Sequence, residues 1–214
     1  SYTSGKMEVS LELDNRHKLS GTKQVKVTLL DADNKVVKTA TTAVNYTAAA
    51  TTNKAKVTLD GLANLKPWTA ETPYLYNVVV AQQDDKGKEE MVFNTKYGFR
   101  NIEIKNGLVL INGKRVFFKG VNTQDTHPEK GRTMDVPTML RDIFMMKQAN
   151  VNTVRTSHYP RQPKMYAMFD YYGLYIMDEA DIECHKNWND HGARQGFNDQ
   201  VISGRESWKP MMID

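Results

Sequence analysis

Asn150-Val-Asn-Thr-Val-Arg-Thr-Ser-His-Tyr-Pro160, then Arg161 to Tyr172, then Gly173-Leu-Tyr-Ile-Met-Asp-Glu-Ala-Asp-Ile-Glu183, reads as strand, loop, helix, strand. Val151 to Thr156 is a short β-branched run that suits a buried strand. Pro160 stops it, because proline donates no ladder hydrogen bond and restrains Tyr159 before it. Met165, Met168, Phe169 and Tyr172 recur at helical spacing and make one apolar face. Gly173 stands where a helix ends in a left-handed residue. Leu174 to Met177 is apolar throughout, as in a strand covered on both faces. Polar residues follow both strands: Arg155 and His158 after the first, and Asp178, Glu179, Glu183 and His185 after the second. In parallel α/β sheets and barrels, ligands bind at the carboxyl ends of strands. The stretch therefore predicts a scaffold with chemistry along one edge.

The same pattern extends towards the N-terminus. Val116 to Val121 reads as an earlier strand. Asp135 is placed to cap a helix with Pro137 in its first turn, and Val136, Met139, Leu140 and Ile143 follow at helical spacing up to Asn150. The predicted order is strand 116–121, helix 136–149, strand 151–156, helix 163–172, strand 174–178. Successive units of this kind mean a parallel sheet or a (β/α)8 barrel.

Residues 1–97 have a different period. Met7, Val9, Leu11 and Leu13 alternate with polar residues, as do Val25, Val27 and Leu29, then Val57 and Leu59, then Val78 and Val80. Ser20-Gly21, Asp33-Asn34, Asp60-Gly61 and Lys86-Gly87 are turn signals between them. This predicts an antiparallel sandwich of immunoglobulin type. Thr39 to Thr52, rich in Ala and Thr, reads as a strand plus a loose loop. Asn106-Gly107 and Asn112-Gly113 each favour a type I′ hairpin, with Leu108 to Ile111 between them.

Composition excludes several classes. The chain has 214 residues, a net charge of +4, 40% hydrophobic and 25% charged residues, values ordinary for a globular protein. Basic residues do not cluster with aromatics, so nucleic acid is not a partner, and no apolar run is long enough to span a membrane. Cys184 is the single cysteine, so no intrachain disulfide forms and the compartment is left open.

Asn152-Thr-Val-Arg155-Thr-Ser-His158-Tyr-Pro160, with Asp170, Gly173 and four apolar residues following at fixed spacing, resembles the first signature of glycoside hydrolase family 2. Trp68-Thr-Ala-Glu-Thr-Pro-Tyr-Leu-Tyr76 resembles the Trp-x-x-x-x-Pro-x-Leu-Tyr segment of that family's sandwich domain, although Trp68 and Tyr76 are also what a sandwich needs to pack its own end. The resemblance implies an immunoglobulin-like β-sandwich over 1–97, then the N-terminal portion of a TIM-barrel glycosidase domain over 98–214. It implies a retaining exo-glycosidase acting on carbohydrate, a β-galactosidase by its finer motifs. A full barrel takes about 250 residues, so the chain reads as part of a longer enzyme, for which a homo-oligomer is one expectation. Retention needs two carboxylates about 5 Å apart. The family carries them as glutamates after the fourth and seventh strands, so both are expected beyond Asp214.

Site roles follow from the same resemblance. His158 matches a pocket histidine that stabilises the transition state through sugar hydroxyls; its plainer role is to hold its own loop. Arg155 belongs to the pocket, and a buried arginine fork suits a carboxylate better than a sugar. Gly120-Val-Asn122-Thr-Gln124-Asp-Thr-His127-Pro128 matches a galactosidase segment in which histidines usually stand where Gln124 and Thr126 are, and Asn122 and Gln124 are its candidate sugar contacts. Ile182-Glu183-Cys-His185 resembles a third-strand motif whose Glu and His bind Mg²⁺. An alternating backbone turns those two side chains the same way, but one carboxylate and one imidazole make a weak magnesium site alone. The plainer reading is a hydrogen-bonded Glu/His pair. Rival functions are a β-glucuronidase or another family 2 specificity, and a non-catalytic carbohydrate-binding or scaffold module.

Overall fold

A computed structural model describes residues 2–181. The chain divides into two compact units, Ser1–Phe117 and Phe118–Asp214.

The first unit contains two packed sheets. β1 (Gly5–Asp14) pairs antiparallel with β4 (Thr52–Leu62), and the second sheet runs β3 (Val36–Tyr46), β2 (Gly21–Leu30), β5 (Tyr76–Gln83), β6 (Glu89–Tyr97). The inward residues of the alternating pattern form the core: Met7, Val25, Val27, Leu29, Val57, Leu59 and Val78 are all buried. The predicted loose segment is better ordered than its composition implied. β3 continues to Tyr46, and the loop after it closes on Asn15. The Asn15 amide donates to Leu19 O, Thr47 O and Ala50 O at 3.0–3.1 Å, and its oxygen accepts from the Leu19 N–H at 2.8 Å. Asp60-Gly61, expected as a turn, lies within β4. Gly61 has φ +65°, and the register slips there from Met7↔Leu59 to Gly5↔Leu62, the mark of a bulge.

Trp68 and Tyr76 are buried, so they pack the sandwich. A ribbon follows: β7 (Ile102–Lys105), β8 (Leu108–Ile111) and β9 (Lys114–Arg115). Both central residues of each hairpin have positive φ, 52° and 73° at Asn106-Gly107 and 49° and 74° at Asn112-Gly113, as type I′ turns require.

In the second unit, β10 (Gly120–Thr123), β11 (Thr153–Thr156) and β12 (Tyr175–Met177) form a parallel sheet in that order. α1 (Val136–Gln148) and α2 (Pro163–Tyr172) are the crossovers. Asp135 caps α1 by accepting from the Thr138 N–H at 3.0 Å and its hydroxyl at 2.6 Å. α2 ends at Gly173, which has φ +77°. Met139, Ile143 and Met146 of α1, Val154 of β11, and Met165 and Phe169 of α2 share one core. β10 begins four residues later than the run at Val116 implied. Apolar content alone placed the start, whereas pairing decides it. Gly120 is the first residue opposite β11, and a Cβ there would meet Thr153 at 3.3 Å.

Candidate functional site

Register carries the rim residues to one place. Asn122 of β10 lies opposite Arg155 of β11, and Arg155 lies opposite Met177 of β12. Val154 is fully buried in the helix-side core, so Arg155, one residue on, lies on the opposite face. The three strands end together, and the residues just past them are Gln124, His158, Asp178 and Glu179.

Glu179 is the hub. One carboxylate oxygen takes the Arg155 Nε–H, and the other is 2.8 Å from His158 Nδ1. Arg155 Nη1 reaches Asn122 Oδ1 at 3.5 Å. The hydrogen bond from His158, the largest effect, together with the Arg155 guanidinium holds the Glu179 carboxyl below its ordinary range against the opposing effect of desolvation. An ionised Glu179 only accepts, so the proton of the His158 pair sits on Nδ1. Nε2 is then an acceptor in the neutral ring and a second donor in the charged one. The Ser157–His158 peptide is cis.

The hub is fixed from beneath. The Glu179 N–H donates to Thr156 Oγ1 at 2.9 Å, and the Thr156 hydroxyl donates to Asp178 Oδ1 at 2.9 Å. The Tyr166 hydroxyl donates to the same Asp178 oxygen at 2.6 Å and accepts from the Arg161 N–H at 2.8 Å. Burial, then the bond to Asp178, raise the Tyr166 hydroxyl above its ordinary value. Both carboxylates after β12 thus have positioning partners.

Of the sequence-stated sugar contacts, Asn122, Arg155 and His158 come together around Glu179. Gln124 makes none of these contacts; it is exposed and, with Asn122, lines a cavity of about 320 Å³ that Asp125 and Asp142 and Met145 of α1 also line. Burial raises the Asp142 carboxyl in that cavity. The candidate magnesium ligands Glu183 and His185 lie outside the described residues. Sequence reading placed Glu179 only in a supporting position. Its signal was there: it is the first Glu after a strand whose parallel neighbour carries Arg155. Tyr166 gave none, since it lies one step from the apolar helix stripe.

Comparison with known proteins bears on the family. The model for the glycosyl hydrolases family 2 TIM barrel domain matches residues 102–214, and the model for glycosyl hydrolases family 2 matches residues 1–100. The β-galactosidase of Halalkalibacterium halodurans is 36% identical over 217 residues, covering 100% of this chain and 20% of that protein. That of Streptococcus thermophilus is 42% identical over 178 residues, covering 79% of this chain and 17% of that protein. The chain therefore spans a fifth or less of the length of these relatives. Among solved structures, a family 2 member from Bacteroides cellulosilyticus has a TM-score of 0.79 at 25% identity, covering 84% of this chain and 24% of that one. A β-glucuronidase from Ruminococcus gnavus has a TM-score of 0.62 at 29% identity, covering 73% and 25%. An alternating sandwich, a parallel βαβαβ unit with His158 at its working edge, and two adjoining model matches place the chain together: it belongs to glycosyl hydrolases family 2.

Proposed function

We propose that the protein containing this chain is a retaining exo-glycosidase that hydrolyses terminal β-D-galactosides. One observation carries the reading: Glu179 fixes Arg155 and His158 at the carboxyl ends of three parallel strands, the edge where barrels bind ligands. Likeness to β-galactosidases along the whole chain favours galactose as the sugar. In this reading His158, oriented through Nδ1, offers Nε2 to a sugar hydroxyl. Asn122 adds an amide, and Arg155 sets the charge of the rim. A donor held in place before reaction stabilises developing charge without reorganising. The acid/base and the nucleophile come from carboxylates other than Glu179, whose two oxygens are already engaged. Gln124, just past the end of the strand that carries Asn122, contacts the sugar beside it. Magnesium at Glu183 and His185 belongs to the proposal through the resemblance of the motif at residues 182–185 alone, and chelation followed by magnesium restoration tests it on the full-length protein.

A β-glucuronidase is the second reading, favoured by the likeness to the Ruminococcus gnavus enzyme. Rates of the full-length protein on nitrophenyl β-D-galactoside and nitrophenyl β-D-glucuronide decide between them. The galactoside should be preferred by orders of magnitude; preference for the glucuronide would sink the first reading. No helix among the described residues is long and apolar enough to cross a membrane.

A further inference from the structure

Arg161 follows Pro160 directly and takes no part in the chemistry proposed above. Its residue exposure is 5%, and its side chain is 1% exposed. A guanidinium stays charged when buried, so this placement needs partners for its donors. It has them on two separate loops. From the loop after β11, Ser157 O accepts from Nη2 at 3.1 Å and Tyr159 O from Nη1 at 2.9 Å. From the end of β10, Thr123 O accepts from Nη2, and Asp125 Oδ1 lies 3.4 Å from Nε. The Tyr159 ring lies under the guanidinium carbon at 4.4 Å, and the Tyr159 hydroxyl accepts from the Asp125 N–H at 3.0 Å. The two loops are therefore joined twice, by the Arg161 fork and by Tyr159.

The anchor points lie next to the proposed sugar contacts. Ser157 precedes His158, and Thr123 sits between Asn122 and Gln124. We infer that Arg161 is a positioning residue: its buried fork ties the strand end carrying Asn122 and Gln124 to the loop carrying His158, and so sets the spacing at which they meet one sugar. This rests on the reading of the rim as a galactoside pocket. Lysine cannot replace the fork, because an ammonium is a single point of charge and cannot serve carbonyls on two loops in one plane.

The test uses the full-length protein and the variants Arg161→Met, Arg161→Lys, His158→Ala and the double variant Arg161→Met/His158→Ala. Arg161→Met should lower kcat/KM by on the order of 10²-fold, the scale on which a small misplacement acts. Placed on top of His158→Ala, it should cost much less, since the group it positions has gone. Arg161→Lys should recover melting temperature more fully than kcat/KM. Hydrogen exchange at the Asp125 and Tyr159 amides should quicken in Arg161→Met. A folded Arg161→Met enzyme within about twofold of wild-type kcat/KM, or an effect simply additive with His158→Ala, overturns the inference. If the wild-type protein turns over no galactoside, the sugar reading fails by itself. The tie between loops is then judged on exchange, where unchanged protection at Asp125 overturns it.

Discussion

At Glu179 one carboxylate holds Arg155 and His158 on different parts of the rim, and its protonation state decides whether they stay together. The His158 hydrogen bond and then Arg155 hold it below its ordinary value of 4.5. A carboxyl lowered in this way binds fewer protons folded than unfolded. Its contribution to stability is complete above about pH 4.5 and is lost as pH falls through the lowered value. Urea midpoints measured from pH 7 to pH 3 should therefore fall more steeply for the wild-type chain than for Glu179→Gln. Parallel curves would show that the hub contributes nothing. The same carboxylate sets the function of His158. In the full-length protein, His158→Ala should lower kcat/KM by about 10²–10³, as losing one preorganised transition-state contact does. Glu179→Gln keeps the shape but removes the charge that fixes the proton on Nδ1. Its kcat–pH profile should shift while KM changes little, which steady-state kinetics across pH will show.

Elements divide into those whose ends are set locally and those set by a partner. The two hairpin turns, the Asp135 cap and the Gly173 stop were legible in the sequence because each rests on one or two residues with special backbone or side-chain chemistry. Asp135→Ala removes the oxygen that accepts both bonds at the start of α1 and should cost about 1 kcal/mol, read as a lowered denaturation midpoint. The start of β10 and the bulge at Gly61 were not legible. Val116-Phe-Phe looks like a strand by itself, but only Gly120 onward has β11 to pair with. Trp68 shows the same dependence on a distant partner. Its N–H donates to Phe99 O at 2.7 Å, its carbonyl accepts from the Asn112 amide at 3.0 Å, and a Cβ on Gly98 would lie 2.8 Å from its own Cβ. Trp68→Ala should therefore destabilise the first unit by about 3–5 kcal/mol. Gly98→Ala should destabilise it too, by crowding rather than by a cavity, and the two effects should not add. Chemical denaturation of the single and double variants measures this.

For the molecule as a whole, the architecture was legible because two hydrophobic periods, two and 3.6, divide the chain cleanly. The rim was legible because parallel strands deliver residues to one edge. The hub and the Arg161 tie were not, since they depend on side chains that meet across separate loops. This division bears on what the 214-residue chain does alone. Glycoside hydrolysis with retention needs an acid/base and a nucleophile on opposed carboxylates. Among the described residues of the rim, Glu179 is engaged by Arg155 and His158, Asp178 by Thr156 and Tyr166, and Asp125 lies against Arg161. β10 and β12 are the outer strands of the described parallel sheet, with Val121 and Met177 exposed on them. Exposed apolar residues on outer strands invite pairing with other chains. The chain by itself should release no nitrophenol from nitrophenyl β-D-galactoside above buffer, and its sedimentation should depend on concentration. The full-length protein should be active under the same conditions. Turnover by the chain alone, abolished by Glu179→Gln or Glu183→Gln, would instead make one of those glutamates the catalytic carboxylate and the paired geometry at Glu179 a resting state.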